Sequence, residues 1–203
     1  MIREVVLMKR FLFILITLIA VLFPASQPPD ACVGKVLYIG ISNSNGEQLF
    51  AEMLSLLINE RTGTTVSIRV YRDSQEMYQA VKKGEVSILI ENTNHALELL
   101  RRPPEENARK AYVISKEEFR KSFNLVWLEP IGLLHIGSGK APAYYVPIIT
   151  VDAMNNFPAL PRVINKLSGT VSDEVFEKFM KAVNAGQKSR ITVKDFLRSR
   201  KLI

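Results

Sequence analysis

Two short polar segments hold most of the side chains that could do chemistry. Ser42-Asn43-Ser44-Asn45 and Glu91-Asn92-Thr93-Asn94 each follow an apolar run and precede a helical pattern. Hydroxyls, amides and a carboxylate at such junctions can hold a small polar ligand, because strand ends and helix N-termini aim backbone amides at the same place. The same residue types also cap helices, which needs no ligand. These segments, with Ser42, Asn45, Glu91, Asn92 and Thr93 among them, are therefore the candidate ligand-binding residues, with capping as the competing role.

Other chemistry is harder to assemble. Gly137-Ser138-Gly139-Lys140 looks like the end of a phosphate loop, but Leu134 stands where the first glycine is required and Ala141 where Ser or Thr is required. It reads as a flexible turn. His95 and His135 stand far apart with no spaced carboxylate or cysteine partner, so no metal set is expected. The pairs Glu105-Glu106 and Glu117-Glu118 are adjacent in sequence, diverge on a helix, and cannot serve as acid and base on one substrate. Both sit where the first turn of a helix favours negative charge. No nucleophile, base and orienting group can be read as a set, and the chain is read as a non-enzyme that needs no cofactor.

The elements that must position these residues follow from periodicity. Lys35–Ile41 reads as a buried strand, and from Glu47 the apolar residues Leu49, Phe50, Met53, Leu54, Leu57 and Ile58 recur at helical spacing until Thr62-Gly63. Val66–Tyr71 is a second strand. Asp73-Ser74-Gln75-Glu76 is a capping box for a short helix that Gly84 ends, and Val86–Ile90 is a third strand. Strand, helix, strand, helix, strand with short turns implies parallel pairing through right-handed crossovers. Beyond Pro103-Pro104, Ser115-Lys116-Glu117-Glu118 reads as a second capping box, for a helix to about Phe123. Leu125–Pro130 and Tyr145–Val151 read as strands, with a loop of small residues from Leu133 to Pro142 between them. The tail is helical over Leu160–Leu167, Ser172–Val183 and Thr192–Arg200.

The amino terminus belongs to a different class. Arg3, Lys9 and Arg10 precede an unbroken apolar run of 13 residues, Phe11–Phe23, and Pro24 breaks it. That run is shorter than the roughly 20 residues a spanning helix needs, so residues 1–32 read as an export signal or a short N-terminal membrane anchor. Cys32, the single cysteine, is a candidate lipidation site or an idle thiol, and it excludes an internal disulfide. Residues 33–203 then form one α/β domain. The net charge is +7, with charges of both signs interspersed. No basic run interleaved with aromatics points to nucleic acid, and proximity to an anionic membrane is the simpler reading.

The order Ala51-Glu52-Met53-Leu54 through Gly63, then Lys82–Leu97, then Lys110–Gly132, then Asn156–Ile203 resembles the osmoprotectant-binding proteins, the glycine betaine, choline and carnitine receptors of bacterial ABC importers. The resemblance implies a periplasmic-binding-protein-like α/β fold, a mostly parallel sheet flanked by helices with a helical C-terminal tail. It departs in two places. The family inserts a second lobe where this chain has only Leu133–Phe157, so a single lobe is expected. The family's E-Y-T-G motif appears as Glu91-Asn92-Thr93-Asn94, so an amide replaces the ring that would face a methylated cation.

What the resemblance implies for function is an exported, periplasmic or extracytoplasmic solute-binding module, with weak or altered affinity for a small osmolyte and an ABC permease as partner. The competing reading is an envelope interaction protein that offers its exposed former cleft to another envelope protein.

Overall fold

The first apolar run becomes strand β1 (Leu37–Ser42), whose residues alternate between two cores. Leu37, Ile39 and Ile41 face one cluster of buried side chains, while Gly40 turns to the opposite face. The same alternation divides β3 (Ile88–Asn92): Ile88 and Ile90 join the first cluster and Leu89 the second. A period of two with both faces apolar is what a sheet covered on both sides requires. The computed structural model describes residues 36–135 and 141–203. The proposed export signal, Cys32 and the Gly137–Lys140 turn lie outside the described residues.

The sheet has the order β2-β1-β3-β6-β4, with β5 also pairing β6. Here β2 is Val66–Tyr71, β4 is Leu125–Trp127, β5 is Gly132–Leu134 and β6 is Ala143–Thr150. β1 pairs parallel with β2 and β3, as the crossover argument predicts. β6 pairs antiparallel with β3, β4 and β5, so five strands share one direction and β6 runs against them. Pro147 lies inside β6, where a missing N–H would normally break a ladder. Its carbonyl accepts from Leu128 N at 3.0 Å, which turns its ring nitrogen to the same side, where the chain leaves β4 before returning as β5.

Helix α1 (Asn45–Thr62) buries Leu49, Phe50, Met53, Leu54, Leu56, Leu57 and Ile58, more than one face of a helix can hold. A helix apolar nearly all round must be covered on more than one side. The tail supplies that cover: α6 (Leu160–Ile164), the 3₁₀ turn Asn165–Leu167, α7 (Asp173–Asn184) and α8 (Ser189–Ser199). Both α6 and α8 pack on α1, and Arg61 fastens the end of the chain by donating to the carbonyls of Leu202 (2.7 Å) and Lys201 (3.2 Å). On the opposite face lie α2 (Ser74–Lys82), α3 (Thr93–Leu99) and α4 (Ala108–Phe123), over Trp127, Val146 and Ile148. Gly34–Ile203 is one compact unit of three layers.

Helix starts and stops follow local chemistry. Gly63 closes α1 in the left-handed region at φ 69°, and Asp73 caps α2 by accepting from Glu76 N at 2.9 Å. Three expectations need correction. Ser115 does not open a helix: α4 starts seven residues earlier, capped by Asn107, which accepts from Lys110 N at 3.0 Å. Ala111, Tyr112, Ser115 and Phe119 form its buried stripe, so Ser115 sits inside the helix with no exposed surface. The segment Leu133–Pro142 is not all loop, because Leu133 and Leu134 belong to β5, which pairs with β6. A short helix, α5 (Val151–Asn156), also follows β6 directly, capped by Thr150. Among the described residues, no helix is long and apolar enough to cross a membrane.

Candidate functional site

Strand direction brings the polar segments together. β1 ends at Ser42 and β3 at Asn92, and β6 begins at the same edge, with Tyr145 opposite Asn92. β5 arrives there at Leu134, opposite Ala143. The N-termini of α1, α2 and α3 approach the same edge. Between them lies a cleft of about 550 Å³, lined by Ser42, Glu47, Ser74, Glu91, Asn92, His95 and Tyr145, with Glu98, Arg102, Glu105 and Glu106 among its other wall residues. Its place, outside the carboxyl ends of parallel strands, is where open α/β sheets collect ligands.

Glu47 was not singled out by sequence, and the structure puts it at the centre of this site. From the first turn of α1 its carboxylate reaches back over the turn to β1. Oε2 accepts from Ser42 N at 2.7 Å and Oε1 from Ser42 Oγ at 2.8 Å. Burial pushes its pKa above the ordinary glutamate range, against the lowering by those two bonds, and the nearby charge of Glu91 adds to the rise. Among the described residues it forms no ion pair with Lys or Arg.

Glu91 is 4% exposed and makes three hydrogen bonds. Its Oε1 accepts from Asn92 N at 2.8 Å and lies 2.8 Å from His95 Nδ1, and its Oε2 accepts from Tyr78 OH at 2.9 Å. The imidazole continues the chain, with Nε2 3.3 Å from Ser74 Oγ. Hydroxyl, imidazole and carboxylate thus stand in the order of a nucleophilic triad, a juxtaposition hidden because Ser74 lies 17 and 21 positions before its partners. The carboxylate also sets the charge preference of the ring. The hydrogen bond to Glu91 raises the His95 pKa, against the lowering by burial. In its protonated form the ring donates from both nitrogens, to Glu91 and to Ser74 Oγ.

The other rings at the edge are already occupied. Tyr145 stacks on Phe50 at 5.3 Å, and Phe50 on Phe176 at 5.8 Å, so one face of the Tyr145 ring is covered. Burial, with the charges of Glu47 and Glu91, pushes the Tyr145 hydroxyl up to about 12. Tyr144 points through the sheet and meets Tyr112 edge-on at 6.1 Å. Among the described wall residues Tyr145 is the single Phe, Tyr or Trp, so no cage of rings surrounds the cleft.

The residues expected from sequence divide among these roles. Ser42, Glu91 and Asn92 line the cleft, and Asn92 also caps α3 by accepting from His95 N at 2.9 Å. Thr93 is wholly buried, and its Oγ1 accepts from Tyr144 N at 3.2 Å. Asn45 is exposed at the start of α1 and does not contribute to the cleft wall. Asn94 lies on the wall and donates to Ala141 O at 3.0 Å, tying α3 to the segment that enters β6. His95 has the carboxylate partner that sequence spacing did not reveal. His135 has one too, Asp173, with Nδ1 to Oδ2 at 2.7 Å on an exposed surface. Among the described residues, no group of three or more His, Cys, Asp or Glu side chains could hold a metal ion.

No family model matches the chain. Solved structures do. A structure described as a glycine betaine/carnitine/choline ABC transporter superposes with a TM-score of 0.73 at 14% identity, over 82% of this chain and 99% of that one. Apo YehZ from Escherichia coli gives 0.72 at 9% identity, over 84% and 100%. Lactococcal OpuAC, in its closed form complexed with glycine betaine, gives 0.51 at 10% identity, over 82% and 96%. At such identities the likeness is one of fold, and on fold the resemblance read from the sequence holds.

Proposed function

We propose that this chain is an extracytoplasmic solute-binding module related to the osmoprotectant receptors of ABC importers, and that it holds a small cationic solute at the carboxyl edge of its sheet. One observation carries this reading: a buried carboxylate, Glu91, and a half-buried one, Glu47, line a cleft of about 550 Å³ at the strand ends. A volume of that size suits a compact solute. Residues 33–203 act as one lobe of what is a two-lobed clamp in the family. With no second lobe to close over it, the ligand stays partly hydrated and binds weakly, and a permease or another envelope protein completes the enclosure. Ser42, Glu91 and Asn92 contribute contacts, and residues 1–32 deliver the chain across the membrane or hold it there.

Calorimetry of the full chain with a panel of small organic cations (betaine, choline, carnitine and unmethylated amines) tests the proposal. Binding at micromolar to millimolar concentration is the expected result. Silence across the whole panel at millimolar concentration overturns it and leaves the exposed cleft to a protein partner.

A further inference from the structure

The cleft selects among cations, and this step rests on the solute-binding reading above. We propose that its ligand carries N–H groups on the positive centre, a primary ammonium rather than a permethylated one, and that Glu47 is the counter-ion.

Three observations converge. First, the recognition that suits a quaternary ammonium is absent from the described wall. A trimethylated nitrogen has no hydrogen to donate and is held by ring faces. Tyr145 has one face stacked on Phe50, and Asn92, opposite it across the β3–β6 ladder, has an amide and no ring. Second, the wall is rich in acceptors. A carboxylate offers about four lone-pair directions. Among the described residues, Glu91 uses three of its own on Tyr78, Asn92 and His95, whereas Glu47 uses two, both on Ser42, and keeps the rest. Third, the two acids are not equivalent in charge. Glu91 has His95 against it at 2.8 Å, while Glu47 has no cation of its own among the described residues.

A half-buried carboxylate without a counter-charge is costly to desolvate, and its raised pKa reports that cost. A bound ammonium supplies the missing charge and fills the spare acceptor positions with N–H donors. The Ser42 bonds hold both Glu47 oxygens in place before the ligand arrives, so little ordering remains to be done on binding. Glu91 is already paired with His95 by geometry, so one positive centre, placed at Glu47, satisfies the floor.

Ligand pairs that differ only in N-methylation test this directly. The probes are ethanolamine against choline, and glycine against glycine betaine, titrated calorimetrically into the full chain at one pH and salt concentration. The unmethylated member of each pair is expected to bind about tenfold more tightly, since hydrogen bonds to charged groups contribute that much or more. Glu47→Gln keeps the shape and one acceptor but removes the charge, and is expected to bring the two members within about threefold of each other by the same reasoning. Choline and betaine binding as tightly as their unmethylated partners to the wild-type chain overturns this inference while leaving the solute-binding reading standing. Failure of every ligand to bind overturns both. The wild-type comparison needs no variant to fold.

Discussion

Replacing Glu91 by Gln tests the electrostatic core of the site. The substitution preserves length and shape but removes the charge that three donors share. One amide oxygen can still accept from Asn92 N and stand opposite His95 Nδ1, while the amide nitrogen turns toward the Tyr78 hydroxyl, which loses its acceptor. A hydrogen bond to a charged group contributes about 1.5–3 kcal/mol, and a neutral one about 1. Losing the charge assistance at His95 and the Tyr78 bond together therefore costs about 3 kcal/mol. For a chain of this size that lowers the melting temperature by about 10 °C, within what a domain of ordinary stability survives.

The pH dependence separates this account from a plain packing defect. The groups facing His95 are Glu91 from β3, Ser74 from α2 and, by charge, Glu98 from α3 and Glu47 from α1. They hold its folded pKa above the ordinary histidine value of about 6.5. A raised folded value means the contribution is fully present below pH 6.5 and fades as pH rises through the folded pKa. The gap between wild type and Glu91→Gln should thus be widest near pH 6 and narrower near pH 9. Urea denaturation at both pH values measures it, and NMR titration of His95, with His135→Gln to remove the other histidine, reads the pKa directly. An equal loss at both pH values, or an unmoved His95 midpoint in the variant, refutes the reasoning.

Two further outcomes follow from the packing. Gly132→Ala would place a Cβ 2.0 Å from the carbonyl oxygen of Val171, a backbone atom that cannot step aside, so β5 or the tail segment must move. A loss of about 3 kcal/mol in chemical denaturation is expected, at the upper end of what overpacking costs. Asn107→Ala should cost about 1 kcal/mol as the loss of a cap, whereas Ser115→Ala should be neutral or slightly stabilising, since its buried Oγ has no partner among the described residues to lose. The opposite ranking in thermal melts would return the start of α4 to Ser115.

Where structure is set by local chemistry, the sequence was sufficient. Gly63 and the Asp73 box end and begin helices through bonds within a few residues, and α1, β2 and α2 lie where periodicity put them. β3 shows where locality stops. Its apolar run begins at Val86, but the ladder covers Ile88–Asn92, because β6 returns antiparallel and extends pairing to Asn92 opposite Tyr145. The site was half legible for a similar reason. Glu91 and Asn92 stand out as polar residues at a strand end. Glu47 reads as an ordinary first-turn acid, and only the bend at Asn43-Ser44 turns its carboxylate back onto Ser42. Glu91 and His95 are four apart, the spacing of helical neighbours, yet they straddle a strand–helix boundary where that rule gives no signal.

The charge of the whole molecule and the charge of the cleft have opposite signs, and distance decides which one a ligand meets. The chain carries +7 overall, yet the described wall holds five glutamates against Arg102 and His95, and Arg102 is itself paired with Glu118 at 2.9 Å. At physiological ionic strength, charges more than about 8 Å apart in solvent are largely screened. The surrounding lysines and arginines therefore slow a cation's approach only weakly, while Glu47, half-buried and in contact range, acts at nearly full strength. A basic surface and an acidic floor are compatible. Net charge alone, read from composition, therefore does not give the sign of the charge that lines the cleft.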